Sequence, residues 1–492
     1  MKHNIISYFL IILTIFIIQS CSCNDKDKPK EYPYYEGNTY PEEINTENTE
    51  ITGSVFYVDP GHMDRNINNP GTETLPWTTF EEVIESGKIE SMEPAGHPYA
   101  AGIAMIVKNP GAPVKAGDTI ILKSGNHGNI FIQDYFNTGY INVIAQTGAT
   151  VTRLHVQSSC RWRFKGLSVI PLSGNAELYA SLVSFESSGW HGPAYNITLD
   201  NCSIQSAADS SSWTLEQWNA LPWNGISASG NNMTIRNNNL LNVNFGITVS
   251  GNFALVKGNT VENFAGDGMR GLGNDLFFEY NIVKNCYAVN QNHDDGFQSW
   301  SINDDPPRER VVLRGNTIIN YSDPNQPFRG TLQGIGCFDG FYINWIIENN
   351  VVITDHWHGI SLYGAVNCRI VNNTVIDLNN ESPGPPWIAI VPHKDGTPSW
   401  NCLVRNNIAT NFIITENITE DHNYAIENFT GYPGLFIDPP TASVPAFDLH
   451  LRANAPSVID TGIVDSAPLK DIEENTRPNG NGFDLGAYEY IP

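Results

Sequence analysis

Four short clusters between positions 267 and 395 carry the groups that could move protons or hold a cation. They are Asp267 with Arg270, the run His293-Asp294-Asp295-Gly296-Phe297-Gln298, His356-Trp357-His358, and His393-Lys394-Asp395. Carboxylates on neighbouring positions can share a proton, a sugar oxygen or a Ca²⁺ ion. Two reactions use such a set. Elimination from a uronate polymer needs a cation to neutralise the carboxylate, a base for the adjacent proton and help for the leaving oxygen. Arg270 or Lys394 could be that base or neutraliser, with His293 or His358 as alternatives and Asp267, Asp294 and Asp295 as Ca²⁺ ligands. Hydrolysis instead needs two carboxyl groups across the scissile bond, and Asp267, Asp294 and Asp295 supply them. A bland reading competes for Asp267 and Asp295, because Asp-Gly is a turn dipeptide and Asn224 and Gln333 hold the same place before glycine.

These clusters gain meaning from the elements that must position them. Eight segments of one pattern run through the middle of the chain, among them Ala254-Leu-Val256-Lys-Gly-Asn259-Thr-Val261, Val311-Val-Leu313-Arg-Gly-Asn316-Thr-Ile318 and Trp345-Ile-Ile347-Glu-Asn-Asn350-Val-Val352. Their sixth places are Cys202, Asn238, Asn259, Asn281, Asn316, Asn350, Asn373 and Asn407, at spacings of 36, 21, 22, 35, 34, 23 and 34 residues. The basic period is thus just over twenty residues, with insertions in four turns. Strands this short cannot bury an apolar face alone, so stacked repeats must complete one another's core. Apolar residues at the first, third and eighth places point inward by period-two alternation, and an Asn at the bend stacks on its copies. The pattern predicts an all-β chain coiled as a parallel β-helix solenoid.

A second strand follows each bend, with copies such as Asp267-Gly-Met-Arg-Gly-Leu272, Asp295-Gly-Phe-Gln-Ser-Trp300, Gln333-Gly-Ile-Gly-Cys-Phe338 and His358-Gly-Ile-Ser-Leu-Tyr363. If the apolar third place is inward, the fourth and sixth face out. That exposes Arg270, Gln298 and Ser361 in one row and Trp300, Phe338 and Tyr363 in another, an aromatic stripe suited either to sugar rings or to an overlying loop. Insertions at 205–223, 284–294, 319–332 and 377–386 enter before this strand, and 302–309 and 392–400 leave after it. Loops on both edges of one face build a groove.

The repeats resemble the pectin-lyase-like, right-handed parallel β-helix superfamily. So do the entry segments Val55-Phe-Tyr-Val-Asp-Pro60 and Pro76-Trp-Thr-Thr-Phe80, and the closing Arg477-Pro-Asn-Gly480 and Phe483-Asp-Leu-Gly-Ala-Tyr-Glu-Tyr490. The resemblance implies a right-handed coil and an enzyme of polysaccharides, either a lyase or a polygalacturonase-like hydrolase. Asp267-Gly, Asp294-Asp295 and His358-Gly follow the order of the polygalacturonase signature. An extra turn, 311–344, separates the Asp pair from the His, and Ala265-Gly266 replaces the expected Asn-Thr. In β-helix lyases the working groups are usually Arg or Lys with Ca²⁺, and β-helix lipoproteins of this kind commonly handle uronates. A lyase therefore leads, with a hydrolase next and a non-catalytic glycan-binding surface protein as the third reading.

The start of the chain speaks to compartment. Met1-Lys2-His3, an apolar run from Ile5 to Ile18 and then Gln19-Ser20-Cys21 describe a lipoprotein signal over 1–21 with Cys21 lipidated. Residues 22–52 are polar and read as a flexible tether, leaving 53–492 as one β-helix domain. The acidic stretch behind Cys21 resembles export signals of surface lipoproteins, so an outer-membrane, outward-facing monomer is expected, held to the membrane only by its lipid. With 52 acidic against 27 basic residues, the charge of −25 disfavours nucleic acid. Cys368 and Cys402 hold the same inward place in adjacent turns, spaced for either a disulfide or a thiol ladder.

Overall fold

The computed structural model describes residues 53–492 except 173, 178–179, 302–305, 380–381, 427–428 and 444. The expected signal, Cys21 and tether lie outside the described residues. The chain coils through three parallel sheets of 13, 12 and 11 strands, each turn adding one strand to each sheet. This is a right-handed parallel β-helix. The 13-stranded sheet holds the first part of every repeat, such as Ala254–Lys257, and the 12-stranded sheet the part after the bend, such as Thr260–Phe264. The 11-stranded sheet, here called the groove sheet, runs from Asn129–Gln133 to Asn411–Ile414.

The bend between the first two sheets follows from two residue choices per turn. The sixth-place Asn residues are buried and form a continuous ladder. Asn259 Oδ1 accepts from the backbone N–H and the amide of Asn238, at 3.0 and 2.9 Å, while its own amide donates to Asn281 Oδ1 and to the Ile235 carbonyl. All four hydrogen-bonding positions of the side chain are thereby filled. The ladder runs one turn further than the repeats indicate, because Asn407 donates in the same way to Asn423. The fifth place is left-handed in every turn, with φ of 55° at Asn201, 56° at Asn237, 65° at Gly258 and Gly315, and 53° at Tyr280. Asn and Gly tolerate that conformation best, which explains why they crowd there.

The bore is filled by Ile, Val, Leu and Phe from all three sheets. Cys368 and Cys402 lie in it as free thiols, the Cys402 sulfur 3.3 Å from the Cys368 backbone nitrogen. The thiol ladder is therefore the outcome, and no disulfide joins them. At the N-terminal end a short helix, Phe80–Glu85, begins at an N-cap in which Thr79 accepts from the Glu82 backbone. It buries Phe80 and Val83 into the bore. At the other end, the closing segment is held by Arg477, fully buried and donating to Glu489, Asn349 and two carbonyls.

Insertions leave the 12-stranded sheet just where the spacing expects them, before the groove strands Asn224–Ala228, Asp295–Trp300, Gln333–Asp339 and Trp387–Val391. They pack on each other through a small core of their own. Trp218 stacks on Tyr287 at 4.2 Å and meets Trp213 edge-on at 5.0 Å. Trp218 is thus structural, a wall of the groove rather than its floor.

Candidate functional site

On the groove sheet the residue before each glycine faces outward, because the glycine itself is pressed against the bore. In Asp295–Trp300 both Gly296 and Phe297 face the bore, and a Cβ on Gly296 would sit 2.4 Å from Ile318 Cγ2. Only glycine lets the strand approach this closely, and the consequence is that Asp295 turns to the groove side. Asp267 does the same one turn earlier. Gly336 one turn later leaves the space that the Asp295 carboxyl fills: a Cβ there would lie 2.1 Å from Asp295 Oδ1.

These carboxyls anchor a compact polar centre. Asp267 Oδ1 accepts from the Asp295 backbone N–H at 3.1 Å, and its Oδ2 accepts from Arg270 Nε at 2.5 Å. The Arg270 guanidinium is sandwiched between Phe245, at 3.5 Å from the ring centre, and Trp300, at 5.4 Å. Asp295 Oδ2 accepts from Gln298 Nε2 at 2.9 Å and faces His293 Nδ1 at 3.2 Å. Asp295 is sealed, with its side chain 0% exposed, while that of His293 is 62% exposed. Gln333, the register partner of Asp295, places its amide 2.5 Å from His293 Nε2. As oriented, that amide donates to the neutral ring and leaves its own oxygen buried without a partner. Turned over, the same oxygen accepts from the protonated ring, so Gln333 can accompany either charge state.

Electrostatics favour proton traffic here. The hydrogen bond that His293 Nδ1 donates to Asp295 holds the imidazole above its ordinary range, against the opposing pull of burial. Burial pushes both Asp267 and Asp295 upward, and for Asp267 the charge and hydrogen bond of Arg270 counter it. Both carboxyls therefore hold their protons more tightly than free ones do. In the next turn but one, burial pushes His356 and His358 down to about 4, so both are neutral rings at ordinary pH. His358 Nδ1 lies 2.9 Å from Ser361 Oγ, and its ring packs on Phe338 and Trp387.

Several expected site residues land elsewhere. Asp294 turns its carboxyl back against the buried thiol of Cys286, and burial raises it to about 7. Among the described residues, Asp267, Asp294 and Asp295 do not bring oxygens together as a cation-binding group; the set does not fit the expected Ca²⁺ cage. Lys394 pairs with Asp339 at an exposed rim, where both side chains are more than half exposed, and is not among the contacts of the carboxyl centre. Ser361 is fully buried, bridging His358 and the indole N–H of Trp387, so it orients rather than contacts a ligand. The aromatic stripe is broken by a register shift between Gln298 and Trp300, which pairs Trp300 with Asp339 instead of Phe338. Phe338 folds back over Gly336 and is buried, leaving Trp300 and Tyr363 as the half-exposed members. Conversely, Gln333 and Phe245 belong to the centre although the sequence reading passes over them. Gln333 had a signal, its place in the Asp267–Asp295 series.

A cavity of about 340 Å³ opens beside the centre, between the insertions, lined by Trp218, Asn224, Phe245, Asn290 and Asn292 among others. Phe245, which packs on Arg270, and Asn292, the chain neighbour of His293, connect this cavity to the carboxyl centre.

No family model matches the chain, and no curated protein matches it. Solved structures similar to it include pectate lyase Pel9A, at 16% identity and a TM-score of 0.37, covering 89% of this chain and 97% of that one. The complex of XylC with xylose has a TM-score of 0.47 at 9% identity, covering 89% and 98%. The GH136 lacto-N-biosidase from Eubacterium ramulus gives 0.39 at 12%, covering 76% and 68%. The functional reading rests on the site residues themselves.

Proposed function

We propose that this chain is a carbohydrate-active enzyme that cleaves an acidic polysaccharide lying along the groove sheet, by β-elimination at His293. The observation that carries the reading is an exposed imidazole backed by a sealed carboxyl, Asp295, whose backbone N–H donates to the same Asp267 carboxyl that Arg270 holds. In elimination, the neutral His293 takes the proton next to the uronate carboxylate through Nε2, the nitrogen turned away from Asp295, with substrate replacing Gln333 there. The same ring, now protonated, can return the proton to the leaving glycosidic oxygen. Asp295 holds the ring orientation and stabilises the imidazolium, and Arg270 offsets charge on the substrate carboxylate. The residues do not fit a Ca²⁺ cage, so no step is routed through that ion. The lipid anchor at Cys21 and a position on the outer membrane belong to the same proposal and rest on the first 52 residues.

Hydrolysis is the second reading, favoured by the adjacent carboxyls of Asp267 and Asp295, whose proton affinity burial raises. Against it stands their burial: carboxyls this enclosed do not meet a glycosidic oxygen without rearrangement, whereas the His293 ring is exposed. Product analysis on pectic, alginate, ulvan and glycosaminoglycan chains separates the cases. Unsaturated, ultraviolet-absorbing ends that vanish in His293→Ala support elimination. New reducing ends without that absorbance shift the assignment to a hydrolase, and chains bound but left intact make the protein a binder.

A further inference from the structure

A second polar cluster sits on the same sheet but far from His293. Asp134 directly follows the first groove strand, Asn129–Gln133, while His191 lies in the tight turn that Ser188 and Gly192 close by exchanging backbone hydrogen bonds. His97 comes from a third segment, between the antiparallel strands Ser91–Pro94 and Met105–Lys108. Counting parallel steps from Ser181–Glu186, the strand just before His191, to Asp295–Trp300 gives a separation of about 20 Å along the coil. The cluster therefore stands apart from the proton-transfer centre, toward the N-terminal end of the groove.

Its geometry is hard to explain by hydrogen bonds alone. His191 Nδ1 lies 2.9 Å from Asp134 Oδ2, and His97 Nε2 lies 3.9 Å from the same oxygen. The other ring nitrogen of His97, Nδ1, is 3.1 Å from the Trp190 carbonyl oxygen. A carbonyl only accepts, so Nδ1 carries the proton, and in the neutral ring Nε2 points a lone pair toward the Asp134 carboxylate. A positive charge, either a second ring proton or a metal ion, is what joins Nε2 to that carboxylate. Asp134 is itself 8% exposed, and its second oxygen, Oδ1, is buried with no hydrogen-bond partner. A buried acceptor left in this state costs stability unless something satisfies it.

We propose that His97, Asp134 and His191 form a divalent transition-metal site of the Zn²⁺ class, which ties the 95–104 loop and the 187–194 turn to the end of the first groove strand. One ligand atom from each of the three lies within 4.8 Å of the others. Ligands at the usual Zn–N and Zn–O distances stand about 3.4 Å apart in a tetrahedron, and the observed 2.9 and 3.9 Å bracket that value. On binding, the His191 Nδ1 proton is released and both imidazoles coordinate as neutral rings. The hydrogen bond of His97 Nδ1 to the Trp190 carbonyl is the outer contact that fixes a ligating ring. Two imidazoles and one carboxylate suit Zn²⁺, Ni²⁺ or Fe²⁺, and not Ca²⁺ or Mg²⁺, which take oxygen ligands. Three protein ligands leave the coordination open at a fourth position.

The test uses the full chain without a histidine tag, stripped with chelator and titrated with Zn²⁺ alone while bound metal is counted by mass spectrometry. The wild type is expected to hold one more tightly bound Zn²⁺ per chain than His191→Ala or Asp134→Asn, and to show a Zn²⁺-dependent rise in melting temperature that these variants lack. Affinity should fall by at least about tenfold to a hundredfold, the loss that even an outer-contact change causes. Because Asp134 is buried, His97→Ala serves as a second variant at an exposed position, with circular dichroism confirming the fold. Equal Zn²⁺ stoichiometry and affinity in wild type and His97→Ala would overturn the site, as would displacement of Zn²⁺ by equimolar Ca²⁺. The outcome is independent of which polysaccharide is cleaved, or whether one is.

Discussion

The two edges of the groove-bearing coil treat stacked polar side chains in opposite ways. At the bend between the first two sheets, the same residue recurs turn after turn, and the buried amides satisfy one another: Asn259, Asn281, Asn316 and Asn350 each give and take in register. At the start of the groove strands the stacked residues differ, Asp267, Asp295, Gln333 and His358. Buried acceptors there are left over: Asp295 Oδ1, Asp294 Oδ1 and Gln333 Oε1 have no partner. Identical amides can saturate because each is both donor and acceptor, while neighbouring carboxyls can only compete for protons. The coil thus saturates its polar groups on one edge and leaves acceptors unsatisfied on the other, where the proposed chemistry lies.

The sharpest way to break this comparison is to remove the exposed member of the groove edge. His293→Ala is expected to lower the cleavage rate by about a hundredfold to ten-thousandfold, the range for a lost acid–base group, with the fold unchanged by circular dichroism. Asp295→Asn acts through the ring instead. Since the Asp295 hydrogen bond is what raises the His293 proton affinity, its loss should move the ascending limb of the pH–rate profile to lower pH. A rate that falls without any shift of that limb would remove Asp295 as the positioning residue.

Next in size is a cut through the saturated edge. Asn281→Ala strips the acceptor from the Asn259 backbone N–H and amide and the donor from Asn316 Oδ1 and the Val256 carbonyl. With these groups buried, about 2–4 kcal/mol of stability should be lost, read as an earlier denaturant midpoint and faster amide exchange in the flanking turns. Loss of rate in proportion to His293→Ala, with stability intact, would contradict the division of labour.

How much of this was legible follows the same line. The ladder and the inward strands were, because a residue type recurring at one place and an apolar alternation are both written in period. Even the left-handed fifth place was visible as repeated Asn and Gly, although its meaning needed the backbone. The groove edge was legible only in outline. Its residues are not repeated, and their exposure depends on covering side chains and a register shift that period-two counting does not capture. That is why Phe338 and Ser361 were expected at the surface and are buried, and why Gln333 was passed over. Asp294 differs from Asp295 by one position and faces the opposite way. His97, Asp134 and His191 share no motif at all, since only the coil brings them together.

Asp294 offers an intermediate test. Its folded pKa, about 7, lies above the ordinary carboxyl value of 3.8 because of burial and then the Asp267 charge. The fold therefore binds that proton more tightly than the unfolded chain does. The resulting stability is whole below about pH 4 and is lost as pH rises through about 7. Asp294→Asn, which is neutral throughout, should melt higher than the wild type at pH 8 and lose that advantage toward pH 4. Its cleavage rate should stay near that of the wild type, because its carboxyl faces Cys286 and not the groove. A hundredfold loss of rate would return Asp294 to the catalytic centre.

The smallest expected effect separates two aromatic residues that the sequence places in one row. Trp300 is half-exposed, with one face near the Arg270 guanidinium, whereas Phe338 is buried over Gly336 and against His358. Trp300→Ala should weaken polysaccharide binding by about 1–2 kcal/mol, the scale of one ring contact, and leave the melting temperature nearly unchanged. Phe338→Ala should do the reverse in order of effect. It opens a cavity between His293 and His358 and costs stability first, and any loss of binding follows from the loosened rings rather than from a missing platform. Equal binding losses from both, at unchanged stability, would mean that substrate displaces Phe338 from Gly336 and that the stripe closes only when a sugar chain is present.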